Sequence, residues 1–277
     1  MSASDWRNPV VILMTDFGLR DTYIGQMKCV ITSICPDASV IDLTHAVDPQ
    51  NIAQGAFFLD RSMPFFPDRA VVVCVVDPGV GTSRKPIAVK TARQTFLAPD
   101  NGLLTPVLGS QTVTHCISIS SPEIMLPAQS ATFHGRDIFS PAAAHLCAGF
   151  PFDRLGDPVD PASCITLPAE TNGIENGNSI AGRVLFCDHF GNLVTSLESS
   201  LVDTAHRWEI SAEGIDGLPI VKTYEDVDEG KLLAYRGSFD TIEIAVRNGS
   251  AAGRTGLKDG AAVRLVRKEP VTTAIPS

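Results

Sequence analysis

Three residues whose side chains handle water and protons stand in two polar segments of this sequence. Asp77 follows an apolar run, Arg84 comes seven residues later, and His134 lies in a separate segment, Thr132–Asp137. A carboxylate and a guanidinium that lie close together orient a water molecule and favour its deprotonated form, and a histidine takes part in proton transfer near neutral pH. These residues indicate a site that activates water. A surface ion pair with an unrelated loop histidine explains them equally well.

Two further polar turns carry candidate binding residues. Asp16 and Asp21 flank a glycine-containing turn, and a carboxylate there can hold hydroxyls or an amine because it accepts hydrogen bonds in pairs. The alternative for these two is a helix cap and an ordinary turn residue. Asp188 and Asn192 bracket another tight turn, which is either a polar clamp for a small ligand or a plain β-turn.

The segment Val71–Val76 positions the first of these residues. Its six apolar residues are mostly β-branched, which predicts a strand covered on both faces, as in a parallel sheet. The run ends at Asp77-Pro78-Gly79, a sequence that favours a sharp turn. Ligands of open α/β sheets bind just outside the carboxyl ends of the strands, so Asp77 lies where a ligand is expected.

The first half of the chain alternates strand and helix patterns. Val10–Met14 and Ser39–Leu43 read as strands that precede Val71–Val76, and the intervening segments have helical periodicity. Asp21 or Thr22 can cap the first helix, and this β-α-β-α-β order predicts a mainly parallel sheet. The remaining elements predicted here are a second helix over Asn51–Met63, paired strands at Ile87–Lys90 and Thr95–Ala98, a short helix from Leu103, and a helix over Ile138–Cys147 capped by Asp137.

The second half of the chain has a different pattern. Pro, Asp, Asn and Gly become frequent between about residues 153 and 178, which predicts a linker. Short β-type runs separated by turns then predict an all-β barrel-like domain. The expected organisation is an α/β domain over 1–165, a linker over 166–178 and a β-barrel over 179–277. The β-type runs are Arg183–Cys187, Trp208–Ser211, Leu232–Tyr235, Thr241–Val246 and Ala262–Val266.

Composition narrows the function classes. The net charge of −9 argues against a nucleic-acid or anionic-membrane surface, and no apolar stretch approaches the roughly 20 residues that span a bilayer. The first ten residues lack the pattern of a signal peptide. The seven cysteines form no CxxC pair, so we expect reduced thiols in a cytoplasmic protein.

Three common motifs of nucleotide binding and serine hydrolysis are absent from the sequence. There is no GxGxxG after the first strand, no phosphate-binding loop with its lysine, and no Gly-x-Ser-x-Gly elbow. No tight His/carboxylate spacing points to a metal. A metal-dependent hydrolase that uses Asp16, Asp77 and His134 as ligands nevertheless stays open as an alternative.

Five long segments, in register and spanning nearly the whole chain, make the sequence similar to a known family. These segments are TDFGLRDTYIGQMK, VVDPGVGTSR, APDNGLL, TFHGRDIFSPAAAHL and DHFGNLVTSL, with a weaker match at GSFDTIEIAVRNGSAA. With them the sequence resembles the S-adenosylmethionine (SAM) hydroxide adenosyltransferases, adenosine-forming SAM hydrolases related to the SAM-dependent fluorinase and chlorinase. The resemblance implies an N-terminal α/β domain, a C-terminal β-barrel, and a homotrimer with sites at subunit interfaces.

The resemblance also implies a role for each candidate residue. The family's Asp-Arg-His set falls on Asp77, Arg84 and His134, and SAM is the substrate, with no separate cofactor and no metal. The implied substrate contacts are Asp16 for the ribose, Asp21 from the same turn, Asp188, Asn192 and Ser238 for the methionine groups, Tyr224 and Phe239 near the adenine, and Phe133.

The same resemblance separates hydrolysis from halogenation. The halogenating relatives carry a tyrosine where this chain has Asp77, and an aromatic over the ribose where it has Gln50. A carboxylate repels a halide but holds a water, so we expect SAM to be hydrolysed to adenosine and methionine. A halide adenosyltransferase and a non-catalytic SAM or adenosine sensor stay open as alternatives.

Overall fold

The computed structural model describes residues 9–127, 130–169, 173–175 and 178–268. The chain divides into two compact units, Met1–Pro168 and Ala169–Ser277. The α-helices are α1 Tyr23–Ile34, α2 Ile52–Ser62, α3 Thr105–Ser110, α4 Ser140–Cys147 and α5 Ala251–Thr255. The strands are β1 Val10–Thr15, β2 Ser39–Thr44, β3 Val71–Val75, β4 Pro86–Thr91, β5 Thr95–Pro99, β6 Val113–Ile119, β7 Gly156–Pro158, β8 Gly173–Glu175, β9 Ser179–Cys187, β10 Leu193–Glu198, β11 Arg207–Ala212, β12 Ile215–Val221, β13 Leu232–Arg236, β14 Thr241–Val246 and β15 Ala262–Lys268.

The first unit is built on a seven-stranded sheet with the order β2-β1-β3-β5-β4-β6-β7. The strands β2, β1, β3 and β5 are parallel, whereas β4, β6 and β7 join by antiparallel pairs. This arrangement confirms the predicted α/β domain with a mainly parallel sheet. It also confirms the predicted pairing of β4 with β5, which the structure shows to be antiparallel. The strand β6 was missing from the prediction.

The apolar run of β3 contributes to two separate cores, which explains why it lacks polar residues. Val71, Val73 and Val75 pack in the core that contains residues of α1 and α4. Val72 and Cys74 pack on the opposite face, with residues of α2 and α3. Because successive side chains of a strand point to opposite faces, a strand between two helical layers must be apolar at every position.

The residues predicted to cap the first and last helices of the α/β domain have other contacts in the structure. Thr22 precedes α1, but its side chain caps no backbone N–H and instead accepts a hydrogen bond from Gln26 Nε2 at 2.9 Å. Asn51 caps α2 by accepting from the backbone N–H of Gln54 at 3.0 Å. Asp137 does not cap α4, because it lies inside a π-helical turn, Gly135–Phe139, that precedes the helix.

The second unit is a β-barrel, as predicted. Its order is β10-β14-β13-β12-β11-β15-β9, and a further pairing of β9 with β10 closes it. The strand β9 achieves this by pairing with β15 along its first half and with β10 along its second half. The pairs are antiparallel except β12 with β13. The strands β10 and β12 were missing from the prediction.

The predicted linker region is partly structured. Within residues 153–178, β7 pairs with β6 and therefore belongs to the first sheet, and β8 pairs with β9. The Pro- and Gly-rich composition therefore reflects short strands and turns as well as the passage between units. Within the described residues, no helix combines the length and apolarity needed to span a bilayer.

Candidate active site

Asp77, Arg84 and His134 form one cluster in the first unit. Arg84 binds Asp77 with two parallel hydrogen bonds, from Nε to Oδ1 at 3.0 Å and from Nη2 to Oδ2. The same Nη2 lies 2.7 Å from Nδ1 of His134. The side chains of Arg84 and Asp77 are only 8% and 4% exposed, so this ion pair is buried. The alternative of a surface ion pair with an unrelated histidine is therefore wrong.

The protonation of His134 follows from its partner. A guanidinium can only donate, so Nδ1 accepts and the proton of the neutral imidazole resides on Nε2. Burial lowers the pKa of His134, and the positive charge of Arg84 lowers it further, against the opposing effects of Asp77 and Asp137. His134 is therefore held in its neutral form, in which its Nε2–H group can donate a hydrogen bond.

Arg84 has a hydrogen-bonding group that the protein leaves unused. Its Nη1 is buried and meets no acceptor within residues 9–127, 130–169, 173–175 and 178–268. A buried donor without a partner costs roughly 1–3 kcal/mol, more when it is charged, unless another acceptor reaches it. Nη1 is thus suited to hold an oxygen atom that does not belong to the protein.

Glycine at position 81 lets the Asp77–Arg84 loop approach the segment before His134. Gly81 has a φ of +78°, and a Cβ atom there would lie 2.7 Å from the carbonyl oxygen of Ala131. Neither condition suits a larger residue. Within the loop, the hydroxyl of Thr82 donates to the Gly79 carbonyl at 2.6 Å and accepts from the Arg84 amide at 3.3 Å. These contacts set the distance between the two parts of the cluster.

Asn101 holds the end of the strand that carries Asp77. Its Nδ2 donates to the carbonyl of Val76 at 2.9 Å, and its Oδ1 accepts from the amide of Leu103 at 3.2 Å.

We expect the substitution Asn101→Ala to lower kcat about fivefold, because Asp77 is then less well oriented. We also expect it to lower the free energy of unfolding by about 1–2 kcal/mol. Steady-state kinetics and urea unfolding check both numbers. An unchanged kcat alongside the lost stability would restrict Asn101 to a structural role.

The π-helical turn after His134 is held by buried charge. Asp137 is fully buried and accepts from Arg136 Nε at 2.6 Å and Nη2 at 3.0 Å, and from the backbone N–H of Ser130 at 2.6 Å. Arg136 also donates to Gln26 Oε1 of α1 at 2.9 Å. Asp137, predicted as a helix cap, therefore anchors the segments on both sides of His134 instead.

The ribose candidate, Asp16, follows β1 at the same edge of the sheet as Asp77. Thr15 of β1 pairs with Val75 of β3, so both carboxylates emerge at neighbouring strand ends. The Oδ2 of Asp16 accepts from the backbone N–H of Gln50 at 2.8 Å, which orients this carboxylate. Gln50 has a positive φ of 65°, a conformation that is uncommon for residues other than glycine.

Two other predicted contacts have different environments. Asp21 is exposed before α1 and lines a shallow cavity of 510 Å³ with Gln26 and Arg136. Phe133 is buried in an aromatic cluster, with its ring centre 5.8 Å from that of Phe17 and 5.2 Å from that of Tyr23. The contacts of both residues with substrate stay predictions.

The metal alternative lacks a ligand set. Among the residues that the structure describes, no three His, Cys, Asp or Glu side chains lie close enough to share a metal ion. Asp16, Asp77 and His134 therefore do not converge as ligands, and Arg84 occupies the position between Asp77 and His134.

In the second unit, Asp188 and Asn192 form the tight turn between β9 and β10. Asp188 Oδ1 accepts from the amides of Phe190 at 2.9 Å and Asn192 at 2.8 Å, and its Oδ2 accepts from Asn192 Nδ2 at 3.0 Å. The backbone forms a β-turn as well, because the Gly191 amide donates to the Asp188 carbonyl at 3.1 Å. One or more lone pairs of Oδ2 remain for a ligand.

The turn borders a cavity of 580 Å³ in the barrel unit. Asn192 and Tyr224 line it, together with residues that the sequence did not single out, among them Phe190, Glu225, Arg247 and Asn248. Phe190 is an aromatic side chain that is 77% exposed. Arg247 and Asn248 belong to the weakly matching segment Gly237–Ala252, in which the resemblance implied a role only for Ser238 and Phe239.

The other two predicted contacts lie in the turn between β13 and β14. Ser238 is exposed, and Phe239 is half-buried with its ring edge-on to Phe186 at 6.1 Å. The turn is closed by a hydrogen bond from the Gly237 amide to the Thr241 carbonyl at 2.8 Å. Tyr224 is 37% exposed on the cavity wall.

Comparison with known proteins adds independent evidence. Two family models match the chain, the SAM hydroxide adenosyltransferase N-terminal domain over residues 11–156 and the C-terminal domain of the same family over residues 182–264. A crystal structure of an uncharacterized conserved protein from Thermotoga maritima is similar with a TM-score of 0.84 and 38% identity, covering 93% of this chain and 100% of that one.

Named relatives are similar over almost their full length. A protein from Thermus thermophilus named (R)-S-adenosyl-L-methionine hydrolase is 39% identical over 264 residues, covering 92% of this chain and 99% of the relative. A protein of the same name from Salinispora arenicola is 34% identical, covering 93% and 97%. A protein from Nocardia brasiliensis named fluorinase is 26% identical, covering 96% and 99%. With both of its units matched in order, the chain belongs to the SAM hydroxide adenosyltransferase family.

Proposed function

We propose that this protein hydrolyses SAM to adenosine and L-methionine by attack of water on the ribose C5′. The observation that carries the proposal is the buried Asp77–Arg84–His134 cluster, in which Arg84 Nη1 has no acceptor within the described chain. A water or hydroxide oxygen bound to Nη1 would be held by the same guanidinium that binds an acceptor carboxylate and a neutral imidazole. Family membership and the named SAM hydrolase relatives support the same reaction.

The chemistry requires little beyond binding and positioning. The water oxygen attacks C5′ in line with the C5′–S bond as that bond breaks. Methionine leaves as a neutral thioether that needs no protonation, and the proton that the water loses is released to solvent. Hydroxide-like character on the oxygen and the sulfonium charge neutralise each other in the transition state, which a dry pocket favours. Arg84 stabilises the hydroxide character, and Asp77 accepts a hydrogen bond from the water. Placing the oxygen about 3–3.5 Å from C5′ supplies much of the remaining rate.

The substrate contacts are proposed from both units. Asp16 binds the ribose hydroxyls and Asp21 adds a polar contact, with Phe133 behind them. Asp188, Asn192 and Ser238 bind the methionine amino and carboxylate groups, and Tyr224 and Phe239 lie against the adenine. The orientation of Asp16 by Gln50 and the cavity that Asn192 and Tyr224 line support these roles.

His134 gives the proposal a pH dependence. Because burial and Arg84 lower its pKa, His134 stays neutral in the folded protein at a pH where a free imidazole, with a pKa of about 6.5, is already half protonated. We expect kcat to stay level down to about pH 6.5 and to fall below it, as the imidazolium forms and repels Arg84. The lowered pKa also weakens the fold below about pH 6.5, so circular dichroism must accompany the kinetics. A fall in kcat centred above pH 6.5 would contradict this assignment.

The experiment that tests the function follows the products. Purified protein is incubated with SAM in four reactions, with and without a chelator and with and without chloride, and products are separated by chromatography. Equal amounts of adenosine and methionine are expected in all four. Formation of 5′-chloro-5′-deoxyadenosine would favour the halogenase alternative, loss of activity to the chelator would favour a metal enzyme, and binding without turnover would leave a sensor.

We also propose a homotrimer with sites at subunit interfaces, and a cytoplasmic location. Sedimentation is expected to give one species near three times the chain mass of 29.5 kDa.

The proposed cytoplasmic location is supported by the seven free cysteines, five of which are buried. Among them are Cys116 and Cys164, whose sulfur atoms lie 3.8 Å apart without a bond. Thiol titration of the denatured protein is expected to detect seven free thiol groups per chain.

A further inference from the structure

A buried carboxylate in the barrel has no role in the reaction described. Glu243 of β14 is only 3% exposed, and burial raises the pKa of its carboxyl group, an effect partly offset by the hydroxyl of Tyr235. That hydroxyl donates to Oε2 at 2.5 Å. Burial also raises the pKa of Tyr235, so this hydroxyl keeps its proton and remains a donor. A buried acidic group is costly and therefore calls for an explanation.

A chain of hydrogen bonds connects Glu243 with the cavity. The hydroxyl of Tyr224 donates to that of Tyr235 at 2.8 Å, and Asn192 Nδ2 donates to the Tyr224 hydroxyl at 3.1 Å. The direction is set at both ends, because a carboxylate accepts and an amide nitrogen only donates. We call Glu243, Tyr235, Tyr224 and Asn192 the relay.

Asp188 fixes the amide of Asn192 from the other side. Its Oδ2 accepts from the same Nδ2 at 3.0 Å, and the amide oxygen could not replace Nδ2 beside a carboxylate. Both N–H groups of the Asn192 amide are thus used inside the protein. The oxygen Oδ1 is the group that Asn192 keeps for a ligand in the 580 Å³ cavity it lines.

Glu243 also contacts the turn that carries two other predicted substrate contacts. A Cβ atom at Gly237 would lie 1.8 Å from Glu243 Oε1, so the carboxylate lies directly against this backbone. Ser238 and Phe239 follow Gly237 in the same turn. One buried carboxylate therefore supports both the cavity wall and the β13–β14 turn.

We propose that Glu243 and Tyr235 are positioning residues for substrate binding, holding the Tyr224 hydroxyl and the Asn192 amide in one orientation on the cavity wall. The inference rests on the proposed function, since it assumes that SAM binds at these residues. Without the Tyr235 hydroxyl, Tyr224 loses the acceptor for its proton, and both Tyr224 and Asn192 gain rotational freedom. Such freedom weakens binding, whereas the Asp77–Arg84–His134 cluster belongs to the other unit and keeps its own contacts.

The test compares KM with kcat in four variants of the full chain. Tyr235→Phe and Glu243→Met interrupt the relay and are expected to raise KM for SAM about five- to tenfold, with kcat within twofold of wild type. Glu243→Gln keeps an acceptor for Tyr235, so KM is expected within about twofold of wild type. Thr195→Val is the matched control, because it removes another buried hydroxyl bond to β14, from Thr195 of β10 to the Ile242 carbonyl at 2.6 Å. It is expected to lower the Tm and leave KM unchanged.

Two kinetic results would contradict the positioning role of Glu243 and Tyr235. A folded Tyr235→Phe variant with unchanged KM, or an equal rise in KM for Thr195→Val, would overturn the positioning role. If the wild type does not hydrolyse SAM, the proposed function fails on its own, and the relay is then judged by the calorimetric Kd for SAM of wild type and Tyr235→Phe. A weaker Kd in the variant would support the relay, whereas equal values, or no binding by the wild type, would overturn it.

Discussion

Arg84→Met is expected to lower kcat about a thousandfold, the largest effect of any single substitution in this chain. Arg84 is the group that stabilises the hydroxide-like oxygen, and loss of one preorganised donor at developing charge typically costs 10²- to 10³-fold. Here two further contacts are lost at once, those with Asp77 and His134. Single-turnover measurement, with the enzyme in excess over SAM and at a concentration above KM, isolates this chemical step.

Two comparisons separate the catalytic effect from loss of fold. Arg84→Lys keeps the charge but not the planar fork, so kcat is expected to recover only partly. Arg93→Met removes an arginine whose partner, Asp68, lies at 2.7 Å but whose side chain is half exposed, and kcat is expected to stay within twofold. If Arg84→Met stays folded and retains a tenth or more of the wild-type kcat, Arg84 does not stabilise the nucleophile.

Asp77→Asn is expected to lower kcat about a hundredfold and the free energy of unfolding by about 3 kcal/mol. Asparagine keeps the size and one acceptor oxygen, but it removes the charge that pairs with Arg84 and the second oxygen of the bidentate contact. Breaking a buried ion pair leaves an uncompensated charge, which is costly when both side chains are largely shielded from solvent. Kinetics and urea unfolding measure the two effects separately.

The same substitution at an exposed pair provides the control. Asp68→Asn removes the partner of Arg93 at the surface, where an ion pair contributes 0–1 kcal/mol, so stability and kcat are expected to change little. Equal effects of Asp77→Asn and Asp68→Asn on kcat would remove Asp77 from the reaction.

The sequence predicts the sheet because its strands carry unmistakable patterns. The apolar run Val71–Val76 needed two helical layers, and the structure provides them on both faces. The turn at Asp77 followed from Pro78 and Gly79 in the same way. In contrast, β10 and β12 escaped detection, because pairing with neighbouring strands stabilises them and their own periodicity is weak.

The candidate site could be predicted in its residue types but not in its contacts. The approach of Asp77 and Arg84 to His134 depends on Gly81 meeting the Ala131 carbonyl, a contact across 50 residues of sequence that no local pattern encodes. Asp137 resembled a helix cap because it precedes an apolar helix, yet it pairs with its neighbour Arg136 within a π-helical turn. Glu243 was indistinguishable from an ordinary strand residue until its burial was known.

The source of the oxygen in adenosine tests the central claim most directly. Purified protein is given SAM in ¹⁸O-labelled water, and adenosine and methionine are analysed by mass spectrometry. Attack of water on C5′ predicts one ¹⁸O atom in the 5′-hydroxyl of adenosine and none in methionine. Unlabelled adenosine, or label in methionine without label in adenosine, would contradict water attack at C5′ by the Asp77–Arg84–His134 cluster.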